Sequence, residues 1–291
     1  MDKLIRNYVI IFFLAVIWGS SFILMKRGLD AFTYTQVSTL RLFIAFLALL
    51  PFVFSACKKA AKKHWKSIII VAFLGNGIPA FLFAKAQIYL ESSLVGILNS
   101  LTPLFTLILG VYFFRAKPSR INVIGIIIGL SGALILFLSD ITSGFSINYY
   151  VLFVILATAF YATSINVIRK YLSDLDAISI SALAFLFLGP ASAIYLFSTD
   201  FLSILFTDKG KSSFVYIVIL GVFGTSFAVV IFNKLIQDSS AIFASSVTYL
   251  IPIVALLWGV FDEENITIYY LAGVVIILSG VYLVNRDPNK G

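Results

Sequence analysis

Charge is what this 291-residue chain has least of. Only 12% of its residues are charged against 61% hydrophobic, and its mean hydropathy is +1.06. A soluble domain carries about 25% charged and about 45–50% apolar residues. Thirty-four charged side chains could not wet the surface of a water-soluble fold of this size. That excludes soluble enzymes, nucleic-acid-binding domains and disordered chains, and it makes lipid the solvent of most of the surface. Cys57 is the single cysteine and His64 the single histidine. One of each forms no internal disulfide, and metal and haem sites lack the ligands they need. No G-x-x-x-x-G-K-[ST] loop is present to cradle a nucleotide phosphate, so nucleotide-driven work by this chain is unsupported and no cofactor is expected.

Long apolar runs take the place of what is missing. A helix crossing hydrocarbon needs about 20 of them in a row. Cutting the chain at its charged and turn-rich points gives ten candidate spans, at about 8–26, 34–54, 67–89, 92–114, 120–139, 149–169, 176–198, 213–234, 240–261 and 267–285. No stretch between them exceeds about 16 residues, which leaves no room for a second soluble domain. The first run is too long for a signal-peptide core and no small-residue cleavage pattern follows it, so it reads as a retained span. The runs are also too long and too evenly apolar for barrel strands. The expected class is therefore all-α and polytopic.

The few charges set the orientation. With a cytoplasmic N-terminus, the inner segments hold Lys3, Arg6, Lys58, Lys59, Lys62, Lys63, Lys66, Arg115, Lys117, Arg120, Arg169, Lys170, Lys234, Arg286 and Lys290. Outside fall Lys26, Arg27, Lys209 and Lys211, with the acidic run Asp262-Glu263-Glu264. Fifteen basic residues against four predict both termini in the cytoplasm of a cell (inner) membrane protein. The net charge of +8 is then a topology signal and not a nucleic-acid patch.

The chain also repeats itself. Slid by 149 residues, Gly75 falls on Gly224, Phe83 on Phe232, Lys85 on Lys234, Leu101 on Leu250, Pro103 on Pro252 and Gly110 on Gly259. After a one-residue shift Gly125–Gly132 meets Gly273–Gly280, and upstream Trp18–Ser21 sets more weakly against Tyr161–Ser164. Two halves, 1–144 and 145–291, each hold five spans. Five is odd, so the second half must lie inverted, an architecture recurrent in secondary transporters with the solute site at the repeat interface.

Trp18-Gly19-Ser20-Ser21-Phe22, the paired Pro103 and Pro252, and the G…SG endings of the fifth and tenth spans resemble the EamA-type members of the drug/metabolite transporter superfamily. The resemblance runs over residues 8–285. It implies a ten-helix inner-membrane carrier in which the first four helices of each half surround a central cavity and the fifth packs outside. It also implies export of amino acids, metabolites or drugs. One departure stands out. The family often carries a glutamate at the end of the fourth helix of each half; here the second half has Glu263 and Glu264, but the first has Phe114-Arg115-Ala116.

Several residues are candidates for contact with a small-molecule solute. Asn99, Thr102 and Thr106 share one helical face, as do Ser245 and Thr248 in the other half. They read either as cavity wall or as hydrogen-bonding glue between helices. Pro103 and Pro252 remove backbone hydrogen bonds and are candidate kink or gating points. Arg41 lies about seven residues into its span, where an arginine costs roughly 2.5–3.5 kcal/mol, and no span interior offers it an acid. An anionic solute group would answer it; snorkelling to head groups is the alternative. Lys85 is a weaker candidate, since a regular helix sets it about 180° from Asn76 unless Gly75, Gly77 and Pro79 distort the span. Trp18 and Tyr161 occupy matching mid-span positions, with Ser21 one turn beyond Trp18. Gly125-x-x-x-Gly129 and the other glycines of the fifth and tenth spans mark close packing or a homodimer face.

The expectation is a secondary transporter with no enzymatic reaction, exporting an amino acid or small organic metabolite by alternating access. A carrier of cationic drugs and a non-transporting scaffold are the alternatives.

Overall fold

The computed structural model describes residues 3–115, 118–142 and 149–285. Lys117, Arg286 and Lys290 of the charge bias, and the boundary between the two halves at 144/145, lie outside these residues. Among the described residues all regular structure is helical: α1 (Lys3–Leu29), α2 (Tyr34–Lys59), α3 (Lys62–Ala86), α4 (Ser92–Phe114), α5 (Arg120–Thr142), α6 (Tyr150–Tyr171), α7 (Ala177–Phe197), α8 (Asp208–Asp238), α9 (Ala241–Phe261) and α10 (Ile268–Asn285). A five-residue helix, Phe201–Leu205, leads into α8. Eight of these helices are long and apolar enough to cross a membrane; α5 and α10 contribute shorter apolar stretches, Arg120–Leu136 and Ile268–Val284.

Side-chain oxygens start the helices. Thr33 caps α2 in a reciprocal box with Gln36, Asp176 accepts from the Ser179 amide at α7, and Thr207 accepts from the Gly210 amide at α8. Each such cap satisfies an amide that would otherwise be left without a partner.

Four helices are irregular, and in matching pairs. Alpha helix gives way to a π turn at Phe73–Gly77 in α3 and at Leu220–Phe227 in α8. In α3 the imide nitrogen of Pro79 has no hydrogen to give the Gly75 carbonyl, which favours the irregular turn. Helix α4 breaks after Asn99 and restarts at Thr102; α9 passes through a 3-10 turn, Ser246–Tyr249, and restarts at Ile251. Pro103 and Pro252 sit in the first turn of the restarted helices, where a missing amide costs nothing. They therefore begin half-helices; they do not kink continuous ones.

Packing follows the same pairing. Helix α2 runs along α7 and α5 along α10, while α1 meets α8 and α9 much as α6 meets α3 and α4. At the α5–α10 crossing the backbones touch: a Cβ built on Gly280 would lie 2.3 Å from the Gly129 amide nitrogen, and one on Gly125 2.6 Å from the Gly280 carbonyl. The glycine face is thus filled from within the chain. Large apolar side chains such as Phe54, Phe113 and Ile194 point outward, as expected of a surface whose solvent is lipid.

Candidate functional site

Helices α1, α2, α3, α4, α6, α8 and α9 enclose a central cavity of about 110 Å³. Space for one water centre is about 10–15 Å³, so the cavity suits a small solute. Seven of the nine candidate contact residues line it: Trp18, Ser21, Arg41, Asn99, Thr102, Tyr161 and Thr248. Two do not. Ser245 is fully buried and its hydroxyl donates to the Ile242 carbonyl. Lys85 lies outside the cavity, its ammonium 4.6 Å from the ring centre of Tyr34 and 5.6 Å from that of Tyr89. The π turn does distort α3, but it turns Asn76 toward the cavity without bringing Lys85 round.

The π turns build the polar floor of the site. An i→i+5 turn frees carbonyls, and neighbouring side chains take them up. Asn76 Nδ2 donates to the Val71 carbonyl at 3.1 Å, and Thr225 Oγ1 donates to the Leu220 carbonyl at 2.9 Å. Trp18 Nε1 donates to the Gly224 carbonyl at 3.0 Å. Thr225 Oγ1 in turn accepts from Arg41 Nε at 2.6 Å. That bond holds the guanidinium plane against α8 and leaves its terminal nitrogens for a ligand. Among the described residues no carboxylate lies within ion-pairing distance of Arg41.

Three of the hydroxyls around the cavity have already spent their protons. Ser21 donates to Ile17, Thr102 to Asn99 and Thr248 to Ser245, each to a backbone carbonyl at 2.8–3.0 Å. Their remaining lone pairs can only accept. Asn99 Oδ1 is buried with no hydrogen-bond partner. The cavity therefore sets the guanidinium of Arg41 among hydroxyl acceptors, with the Tyr161 and Ser164 hydroxyls and the Asn99 amide able to donate or accept, an arrangement that can take up a solute carrying a carboxylate and a second polar group.

Aromatic rings close the sides, again in matching pairs. Trp18 meets Phe232 edge-on at 4.8 Å, and Tyr161 stacks on Phe83 at 5.7 Å. Asn76, Thr225, Phe83, Phe232, Asn233 and Ser164 also line the site and were not singled out as contacts from the sequence. The 149-residue offset would have found two of these pairs, since it sets Asn76 on Thr225 as it sets Phe83 on Phe232.

Past one end of the cavity lies a cluster of charges. Lys26 Nζ, at the C-terminal end of α1, meets Asp262 at 2.7 Å, Glu264 at 2.8 Å and Glu91 at 3.2 Å. Arg27 pairs with Asp262. The Glu264 carboxylate also accepts from the amides of Ser92 and Ser93 and from the Ser92 hydroxyl at the start of α4. Burial pushes this carboxyl up, but the hydrogen bonds from Lys26, Ser92 and Ser93 outweigh it and hold the pKa at about 2.

The sequence profile of the EamA-like transporter family matches this chain twice, over residues 6–138 and 148–286. An uncharacterized transporter of Archaeoglobus fulgidus is 25% identical over 97% of this chain and 99% of its own length. The uncharacterized transporter YoaV of Bacillus subtilis is 27% identical over 92% of each chain. A protein of Salmonella typhimurium described as a probable amino-acid metabolite efflux pump is 23% identical over 92% of this chain and 91% of that protein. A solved crystal structure shares the fold at a TM-score of 0.66 and 14% identity, over 96% of both chains.

Proposed function

The chain belongs to the EamA-like transporter family, a multi-pass membrane transporter and not an enzyme, and from there we propose that it exports an amino acid or a small carboxylate-bearing metabolite as a secondary carrier. In this reading ten spans form two inverted five-helix halves, 1–144 and 145–291, with both termini cytoplasmic. The matched π turns, matched helix breaks and matched aromatic pairs support that symmetry. The halves exchange access to the cavity, and the discontinuous α3, α4, α8 and α9 are the elements that flex.

One observation carries the substrate class. Arg41 presents a guanidinium to the cavity with its Nε fixed on Thr225 and no carboxylate beside it. A charge placed so far from water stands against desolvation until a counter-charge arrives. The solute's carboxylate is that counter-charge, its amino group meets Asn99 Oδ1, and Trp18, Phe83, Tyr161 and Phe232 bound its side chain. Ser21, Thr102 and Thr248 supply acceptors. Lys85 and Ser245 take no part.

Comparing medium and cytosol metabolites in a strain overexpressing the chain tests this reading. One carboxylate-bearing solute enriched outside, and then exchanged by the purified protein in proteoliposomes, supports it. Exchange of organic cations alone would favour the drug-carrier alternative, and no saturable flux across a broad panel would favour a scaffold.

A further inference from the structure

The repeat that relates the two halves of the cavity fails at its ends. Met25 lines the cavity at one end, and a 143-residue offset sets it on Ile168, which lines the cavity at the other. The same offset sets Lys26 on Arg169. Beyond Met25, Lys26 joins three carboxylates from two other elements, and Glu264 has a side chain with no solvent exposure. Glu264 also grips the amides at the start of α4, where the helix dipole favours a negative charge. The ends of α1, α4 and α9 are thus clipped together directly over the cavity.

Among the described residues, the corresponding corner beyond Ile168 holds no comparably buried carboxylate. Its fourth-helix end reads Phe114-Arg115-Ala116, with no acid as far as Arg120, and Glu91 and Ser92 fall on Ser240 and Ala241. Among the described residues Arg169 donates there to a backbone group, the Gln237 carbonyl at 2.9 Å. The ion pairs at that end among the described residues, Arg6–Asp238, Lys234–Asp238, Lys59–Asp176 and Lys63–Asp174, with the His64 ring beside Asp174, all place their carboxylates in more exposed positions than Glu264 and Asp262. Solvent-exposed pairs contribute little, whereas breaking a buried pair leaves an uncompensated charge.

We infer that Lys26, Glu91, Asp262 and Glu264 form a one-sided ionic latch that closes the Met25 end of the cavity and biases the resting carrier toward opening at the Ile168 end. This rests on the alternating-access reading. The latch needs no solute to be present: it sets which face the empty carrier shows, and opening the Met25 end requires Glu264 to leave both Lys26 and the start of α4. With a cytoplasmic N-terminus the latched face is the external one, so the empty carrier waits for cytoplasmic solute.

Accessibility tests this without any knowledge of the substrate. In a Cys57→Ser background, Met25→Cys and Ile168→Cys are each reacted with a membrane-impermeant maleimide in right-side-out and inside-out vesicles. The latch predicts slow reaction at position 25, and acceleration by about tenfold or more in Glu264→Gln, with slower reaction at position 168. Glu91→Gln, at the cluster's rim, shifts both rates in the same directions by less. Lys26→Arg, which keeps the charge facing all three carboxylates, retains slow reaction at position 25, whereas Lys26→Met accelerates it, which separates a latch from mere loss of folding. Unchanged rates at both positions in properly folded Glu264→Gln and Glu91→Gln would overturn the latch. Acceleration at position 25 with no change at 168 would support closure by the latch but contradict alternating access.

Discussion

Asn76 and Thr225 make the same hydrogen bond in the two halves of the chain, each reaching back five residues to a carbonyl freed by a π turn, Val71 in one case and Leu220 in the other. The chemistry of the two residues differs in one respect that matters. Thr225 also accepts from Arg41, whereas the 143-residue offset sets Ala184 at the position matching Arg41. A symmetric scaffold therefore carries one unsymmetric charge, and that charge is the feature of the cavity best suited to choosing a solute.

Thr225→Val removes the acceptor that holds Arg41 Nε while keeping the branched shape. The lost bond to a charged donor is worth about 1.5–3 kcal/mol. The expected outcome is a KM for the carried solute raised by about tenfold, with the unfolding temperature in detergent lowered by less than for a core truncation. Counterflow kinetics and a thermal melt check both.

Phe83 is buried against Tyr161 and Phe22, so Phe83→Ala leaves a hole in the wall of the site. Such truncations cost about 3–5 kcal/mol. The expected result is a clearly lower melting temperature, while Tyr161→Phe, which keeps the stack, melts near the native value.

Gly280→Val drives a side chain into the backbone of α5, since even a Cβ there would meet the Gly129 nitrogen at 2.3 Å. Separation of α5 from α10 and loss of a monodisperse peak in size-exclusion chromatography are expected. Ser279→Val, on an exposed face of the same helix, is expected to leave the peak intact.

Glu264 gives a pH dependence of known sign. Its carboxyl lies at about 2 in the folded chain against an ordinary value of 4.5. A depressed carboxyl stabilises fully above the ordinary value, and that contribution is lost as pH falls from about 4.5 toward 2. The melting temperature of the native protein should therefore fall over this window more steeply than that of Glu264→Gln. Parallel curves would show that the carboxylate contributes nothing.

Much of this was legible in the sequence because hydrocarbon thickness fixes helix length and polar residues in lipid are conspicuous. The apolar runs fall on the helices, and Arg41, Trp18, Tyr161, Asn99, Thr102 and Thr248 were visible as polar or aromatic residues where apolar ones are the rule. Lys85 and Ser245 show the limit. Both satisfy the same rule, but a hydroxyl can be answered by its own helix and an ammonium by neighbouring rings, and neither solution leaves a trace in residue spacing. The π turns were foreshadowed by Gly75, Gly77 and Pro79 in α3, whereas α8 has no proline to announce its own. The charge cluster was hidden for another reason. Lys26 counted as a topology signal, and its partners lie 65 to 238 residues away.

The most direct measurement is proteoliposome counterflow of amino acids and of their decarboxylated amines, with the native protein and with Arg41→Ala. Saturable exchange of one or more amino acids by the native protein, no exchange of the matching amines, and loss of amino-acid exchange in a folded Arg41→Ala are expected. Equal amino-acid exchange with and without the guanidinium, alongside transport of the amines, would contradict solute selection by Arg41.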